Sequence, residues 1–159
     1  MAKKYSKYHV DISKKGKEDR TAYDRNSKKQ VVFDSKLEKQ YYMEVICGGL
    51  DAGIISEYTL QKKYPLQPSF KRDGKTIRAI DYVADFWIKM PDGTEQIIDI
   101  KGGLIDPMAK LKRKMMWYKY PDKDYIWITY TKATGWIDWD EHEANKRAKK
   151  KALKAKKEK

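Results

Sequence analysis

Residues 76–102 read TIRAIDYVADFWIKMPDGTEQIIDIKG, and the fold turns on how this stretch pairs with itself. Two alternating segments flank Met90-Pro91-Asp92-Gly93-Thr94. Pro pre-sets φ early in that turn and Gly supplies a left-handed residue, which predicts a type I turn closed by a glycine bulge. Met90 then faces Thr94, Lys89 faces Glu95, Trp87 faces Ile97, Asp85 faces Asp99 and Val83 faces Lys101. The Lys89–Glu95 pair has opposite charges and supports the register. Side chains alternate along a strand, so one face collects Asp81, Val83, Asp85, Trp87, Ile97, Asp99 and Lys101. The other collects Ile80, Tyr82, Ala84, Phe86, Ile88, Ile98 and Ile100, and its apolar character predicts the core face.

The first face gathers three acids and a lysine. Carboxylates set side by side repel, and partly buried ones need a compensating charge. A divalent cation supplies it: Mg²⁺ favours one or two carboxylates together with water and phosphate oxygens. A plain surface strand pair, with Lys101 bridged to Asp99 or Asp85, accounts for the same residues. A register slip of one residue would part Asp85 from Asp99.

A chain of 159 residues suits one domain with a single core. Its net charge of +13 calls for a polyanionic partner, most simply nucleic acid. The single Cys47 rules out an internal disulfide and a cysteine-based zinc site, and reads as a helix-packing residue. No apolar run approaches the ~20 residues that span a bilayer. No signal pattern opens the sequence, so a soluble cytoplasmic protein without a membrane partner is the expectation.

Residues 1–33 are polar and basic and read as a largely irregular arm, with His9 at the surface. Ser35-Lys36-Leu37-Glu38 fits a capping box, with Leu37, Tyr41, Tyr42, Val45 and Ile46 as an apolar stripe and Gly48-Gly49 as the helix end. Glu38 either closes that box or projects into a metal site. Residues 59–70 are extended, and Pro65 and Pro68 exclude a central, fully paired strand. Lys71 and Arg72 open a turn that is either solvated or in contact with a phosphate backbone.

Asp106-Pro107 starts a helix running to about Tyr118. Met108, Leu111, Met115 and Tyr118 make its apolar, core-facing side. Lys110, Lys112, Arg113 and Lys114 make a basic side, either solvated or phosphate-contacting. Residues 125–130 form a buried strand, and 136–141 a turn into a helix with acids at its start. His142, without a second His or Cys, is a surface residue. Residues 144–159 carry nine Lys or Arg against one Glu, among them Lys146, Arg147, Lys149 and Lys150. This frayed helical tail either strengthens nucleic-acid binding without choosing a sequence or merely solubilises the chain.

Helix, three strands, helix, strand, with Glu38 on the first helix and Asp85 and Asp99-Ile100-Lys101 on the hairpin, resembles the PD-(D/E)XK nuclease superfamily. Ala84-Asp85 stands for its "PD" and Asp99-Ile100-Lys101 for its "(D/E)XK". The segments FDSKLE (33–38), LQPSF (66–70), YVADF (82–86) and DIKG (99–102) are similar to those of a small phage-encoded family of unassigned function within it. The resemblance spans roughly residues 5–131, and Ala84 departs from the superfamily's Pro. It implies an α/β, restriction-endonuclease-like core. In that core a mixed sheet, a three-strand meander plus a further strand, is flanked by helices in the order αβββαβ.

On this reading residues 1–33 are the arm, 34–137 the nuclease core and 138–159 the basic C-terminal helix or tail. The implied activity is Mg²⁺-dependent DNA cleavage, with Mn²⁺ substituting, at branched DNA such as a four-way junction. Glu38, Asp85, Asp99 and the Ile100 carbonyl would hold the metal and Lys101 would act at the attacked phosphate. A homodimer would be expected, in a bacterial host's cytoplasm. The alternative is a non-catalytic nucleic-acid-binding protein that keeps the fold and the tail.

Overall fold

The computed structural model describes residues 11–157; residues 1–10, with His9, and 158–159 lie outside the described residues. The chain forms two compact units, Met1–Ile54 and Ile55–Lys159.

In the first unit, α1 (Lys14–Asp19) leads to the antiparallel pair β1 (Thr21–Asp24) and β2 (Lys29–Val32). Then come α2 (Lys36–Tyr41), a π-helical turn (Tyr42–Cys47) and α3 (Gly48–Asp51). Residues 14–32 are thus regular structure, not the irregular arm expected. The physical reason is Arg20. Its guanidinium is buried and donates to the carbonyls of Phe33 (2.5 Å), Asp34 (3.1 Å), Gly16 (3.2 Å) and Asp11 (3.4 Å). One fork of five N–H donors satisfies carbonyls that a short, polar segment could not otherwise pair. Gly48-Gly49 does not end the helix either. Gly48 is right-handed helical (φ −62), and the left-handed residue that stops the chain is Gly53 (φ +68), whose N–H donates to Leu50 O at 3.1 Å.

Replacing Arg20 by Met should therefore cost about 2–4 kcal/mol, since charged donors to several buried carbonyls are lost at once. Urea unfolding gives the midpoint, and amide exchange should accelerate across residues 20–34. An unchanged midpoint would mean the carbonyls find other partners.

The second unit holds β3 (Glu57–Gln67), β4 (Phe70–Arg72), β5 (Lys75–Ile77), β6 (Ile80–Lys89), β7 (Glu95–Ile100), α4 (Pro107–Lys119), β8 (Asp124–Thr131), β9 (Gly135–Asp138) and α5 (Trp139–Lys157). Five strands form one mixed sheet in the order β3-β6-β7-β8-β9. Only β7 and β8 run parallel, and α4 supplies the crossover that a parallel pair needs. Pro65 lies on β3, an edge strand, where a missing donor is tolerated. β4 and β5 make a separate hairpin through Asp73 (φ 50) and Gly74 (φ 72), the left-handed pair of a type I′ turn. β9 is a strand where the sequence reads as a turn. Its four residues are short, and Trp136 holds it by packing edge-on against Tyr130 at 5.0 Å.

The β6–β7 hairpin has the expected register, from Lys89↔Glu95 to Phe86↔Ile98. Met90 N–H donates to Thr94 O (2.8 Å), Gly93 N–H donates to Met90 O (3.0 Å), and Gly93 has φ 89. The division into one apolar and one polar face is not found. Tyr82 and Ala84 share a buried cluster with Trp87, Ile97, Met116, Tyr125 and Trp127. Phe86, Ile88, Ile98 and Ile100 are buried as well. The alternation changes sides at Gln61 on the neighbouring strand. This residue has φ 51 and makes no ladder pair with Asp85, although the β3–β6 register is the same on either side of it; the register shift of that ladder lies between Pro65 and Gln67.

Helix α4 is also turned relative to the expectation. Arg113 and Met116 are its buried residues, while Met108, Leu111 and Tyr118 are exposed. The Arg113 guanidinium stacks on Trp127 (4.3 Å) and Trp117 (4.4 Å) and makes a bidentate ion pair with Asp140 (2.9 and 2.6 Å). A stacked and paired guanidinium can occupy a core position, so Met108, Leu111 and Tyr118 face out, while Met115 is half-buried against the core cluster.

Inside the cluster Trp127 Nε1 donates to Tyr125 Oη (2.5 Å), and Tyr125 Oη donates to Tyr82 Oη. Burial pushes the Tyr125 phenol up to about 12 and the Tyr82 phenol higher still. An unfolded tyrosine ionises near ~10, so the folded state binds these protons more tightly. The stability they contribute is complete below about pH 10 and is lost as pH rises through 12. The melting temperature should therefore fall steeply above about pH 10, and Tyr82→Phe should flatten that fall. Thermal unfolding from pH 8 to 11.5 checks it.

Candidate functional site

Four of the residues singled out in the sequence meet at the ends of β6 and β7. Asp85 sits where β6 changes sides, beyond the last β6–β7 pair. Its Oδ2 accepts the Ile100 N–H at 2.7 Å, and its Oδ1 lies 3.5 Å from Gln61 Nε2, a donor. Asp85 and Asp99 therefore do not face each other as a ladder pair. Asp99 is 3 % exposed and pairs in register with Trp127 of β8. Lys101 lies two residues on, and its N–H donates to Ile128 O at 2.8 Å, which extends the parallel ladder by one step. Its Nζ forms an ion pair with Asp99 Oδ2 and lies 4.8 Å from the Trp127 ring centre. Asp99 Oδ2 is buried and, apart from this ammonium, has no donor aligned on it.

Chemically, the cluster offers two carboxylates of hard oxygen donors and one ammonium. It can hold an oxygen-seeking cation such as Mg²⁺, and it can present a cation to an anionic group. Among the described residues the acids here form a pair and not a group of three or more His, Cys, Asp or Glu.

Glu38 belongs to the first unit. It is buried; its N–H donates to Ser35 Oγ (3.0 Å), and its Oε2 accepts the Asp34 N–H at 3.1 Å. This is the expected capping box, with the return bond moved one residue upstream of the N-cap. Asp81 is paired with Lys63 at 3.3 Å.

The candidate phosphate contacts divide. Lys71 and Arg72 are exposed on β4, and Lys110 and Lys114 are exposed on α4. Lys112 Nζ donates to Asp81 O at 2.7 Å. Arg113 is a correction: it is 6 % exposed and committed to Trp127 and Asp140, so it is not presented to a phosphate backbone. Lys146 pairs with Glu143 (2.8 Å), and Arg147 donates to the Glu143 carbonyl (3.2 Å). Lys149 and Lys150 are exposed on α5, a continuous helix where a frayed tail was expected.

Two residues of the site escaped the sequence reading. Gln61 reaches Asp85, and nothing in TLQKKY signals a left-handed residue inside a strand. Trp127 backs Lys101, which its place in a buried apolar run does not reveal. Among the described residues no helix is long and apolar enough to cross a membrane. A family model described as "Protein of unknown function (DUF1064)" matches residues 13–134. No curated protein matches the chain.

The ion pair yields a test that needs no activity. Lys101→Met strands the buried Asp99 carboxylate and should cost about 2–4 kcal/mol. Asp99→Asn in the same chain should recover a large part of that loss. A double-mutant cycle in urea measures the coupling. Additive single effects would show that the two charges do not support each other.

Proposed function

Since the chain belongs to that family of unknown function, whose description assigns no activity, we propose from its own residues that it is a metal-dependent DNA endonuclease. One observation carries the reading. Asp99 is buried and ion-paired with Lys101, and the N–H of the intervening Ile100 holds the Asp85 carboxylate. The resemblance of Asp85 and Asp99-Ile100-Lys101 to the PD-(D/E)XK pattern supports it. So does the order of α2, β3, β6, β7, α4 and β8, with a small hairpin inserted. The favoured substrate is branched DNA. A four-way junction cut symmetrically needs two sites, hence a homodimer. The accompanying location is the bacterial host's cytoplasm.

Asp85, Asp99 and the Ile100 carbonyl would hold Mg²⁺, with Mn²⁺ as a substitute. When bound, the ion lowers the pKa of water and neutralises charge on a phosphate. Glu38 enters this reading from the resemblance alone. The chain's own residues do the positioning. The Ile100 N–H fixes the Asp85 carboxylate, and Trp127 limits where the Lys101 ammonium can go. Lys101 would donate to the nucleophilic water or to an attacked phosphate oxygen. Exposed lysines of β4 and α5 would contact the phosphate backbone without reading sequence. A second reading is a non-catalytic DNA-binding protein, in which the Lys101–Asp99 ion pair simply stays closed.

The test is a labelled panel of four-way junction, flap, single-stranded and linear duplex DNA, with and without Mg²⁺. The expected result is Mg²⁺-dependent nicking of the junction. Asp99→Asn and Lys101→Ala should each lower the rate by at least about a hundredfold while junction affinity in Ca²⁺ holds. Glu38→Gln keeps the cap and should lose cleavage only if this acid serves the metal. Binding without cutting by the wild type, under all metals tried, would favour the second reading. Cutting by Asp99→Asn at the wild-type rate would refute the metal-site assignment.

A further inference from the structure

Helix α4 exposes an apolar stripe at the spacing of a helix-pairing seam. Met108, Leu111, Met115 and Tyr118 recur at intervals of three and four residues. Met108, Leu111 and Tyr118 are exposed, Tyr118 at 91 %, and Met115 is half-buried, packing also against the core cluster. At ~100° per residue the stripe lies opposite the buried side that carries Ala109, Arg113, Met116 and Tyr120. Beside it, Leu66, Gln67, Lys114, Met115, Tyr118 and Lys119 line a groove of about 550 Å³, able to take an apolar side chain.

The borders of the stripe are all basic. Lys112 and Lys119 lie along one edge, and Lys110 and Lys114 along the other. Lys112 and Lys119 are steadied by the carbonyls of Asp81 (2.7 Å) and Leu66 (3.3 Å), which leaves their charge in place. In a paired helix these edges decide the partner. A second copy laid on the stripe, parallel or antiparallel, would set lysine against lysine, which disfavours self-pairing. A phosphate backbone would meet the lysines but would place thioether and leucine side chains under its charges. A helix with apolar residues on one face and Asp or Glu along both edges satisfies the seam and the charges together.

We propose that the outer face of α4 docks an acidic amphipathic helix of a partner protein. Its apolar side chains cover Met108, Leu111, Met115 and Tyr118, with one anchored in the Leu66–Met115 groove. Its carboxylates pair with the lysine edges. This surface is independent of the Asp85–Asp99–Lys101 cluster, so a protein without nuclease activity would still carry it.

The probe is a synthetic three-heptad helix with Leu at its seam positions and Glu along both edges. Two controls have the same length: one with the Leu residues scrambled at unchanged charge, and one with Lys edges. Binding to the full chain is read by fluorescence anisotropy, with the oligomeric state followed by sedimentation. The Glu-edged helix should bind at least about tenfold more tightly than either control, about 1.4 kcal/mol. Leu111→Ser with Tyr118→Ser, both exposed and so neutral to folding, should abolish that margin. Three results would overturn the proposal. The scrambled peptide could bind equally well, which is charge alone. The chain could prove a dimer that the double variant dissociates, which makes a second copy the occupant. The double variant could weaken duplex DNA binding with no peptide margin present, which makes this a nucleic-acid face.

Discussion

The second unit depends on where one guanidinium is put. Arg113 lies against Trp127, which is fully buried, and pairs with Asp140 at the start of α5. Its Nε has no hydrogen-bond partner, so the rings and the carboxylate are what make its burial tolerable. Three consequences follow from that single placement. The rotation of α4 is set, because Arg113 and Met116 take the inward side. The root of α5 is tied to the sheet, with Trp139 edge-on to Trp127 at 5.4 Å. The ring that bears Arg113 also bears Lys101, so the lysine of the proposed site rests on the same indole.

The local rules were legible. Pro91, Gly93 and the Lys89–Glu95 pair specify the hairpin, and its register is the expected one. Ser35 and Asp106 accept the backbone donors their positions call for. What could not be read is where a polar residue replaces an apolar one inside, or the reverse. Arg20 and Arg113 are each one cation among 36, yet both are buried. Periodicity assigns apolar residues to the core and therefore turned α4 the wrong way. Composition assigns a basic segment to solvent and therefore missed α1, β1 and β2. Both errors have one cause: a guanidinium becomes a core group only when carbonyls, rings or a carboxylate from distant segments converge on it.

The site residues were legible as a set but not as an arrangement. Strict alternation would have placed Asp85 directly opposite Asp99, with their β-carbons about 4.5–5.5 Å apart. Two like charges at that spacing oppose the pairing of the strands that carry them. In the structure the β6–β7 ladder ends at Phe86↔Ile98, one step short of that pair. Asp85 accepts the Ile100 N–H instead, with the amide of left-handed Gln61 on the neighbouring strand 3.5 Å away. Asp99 is left to Lys101.

That separation also bears on what the site can do. A carboxylate tied to a backbone N–H is fixed in direction but still has lone pairs to offer, since each oxygen accepts more than one donor. Asp99 instead has an ion pair with Lys101, a partner on a flexible side chain, and the Lys101 ammonium also lies 4.8 Å from the Trp127 ring centre. One acid is thus held by the backbone and the other by a side-chain charge. Strain on the β3–β6 ladder at Gln61 is the structural cost of that difference, and a fully regular sheet would have made both acids alike and mutually repelling.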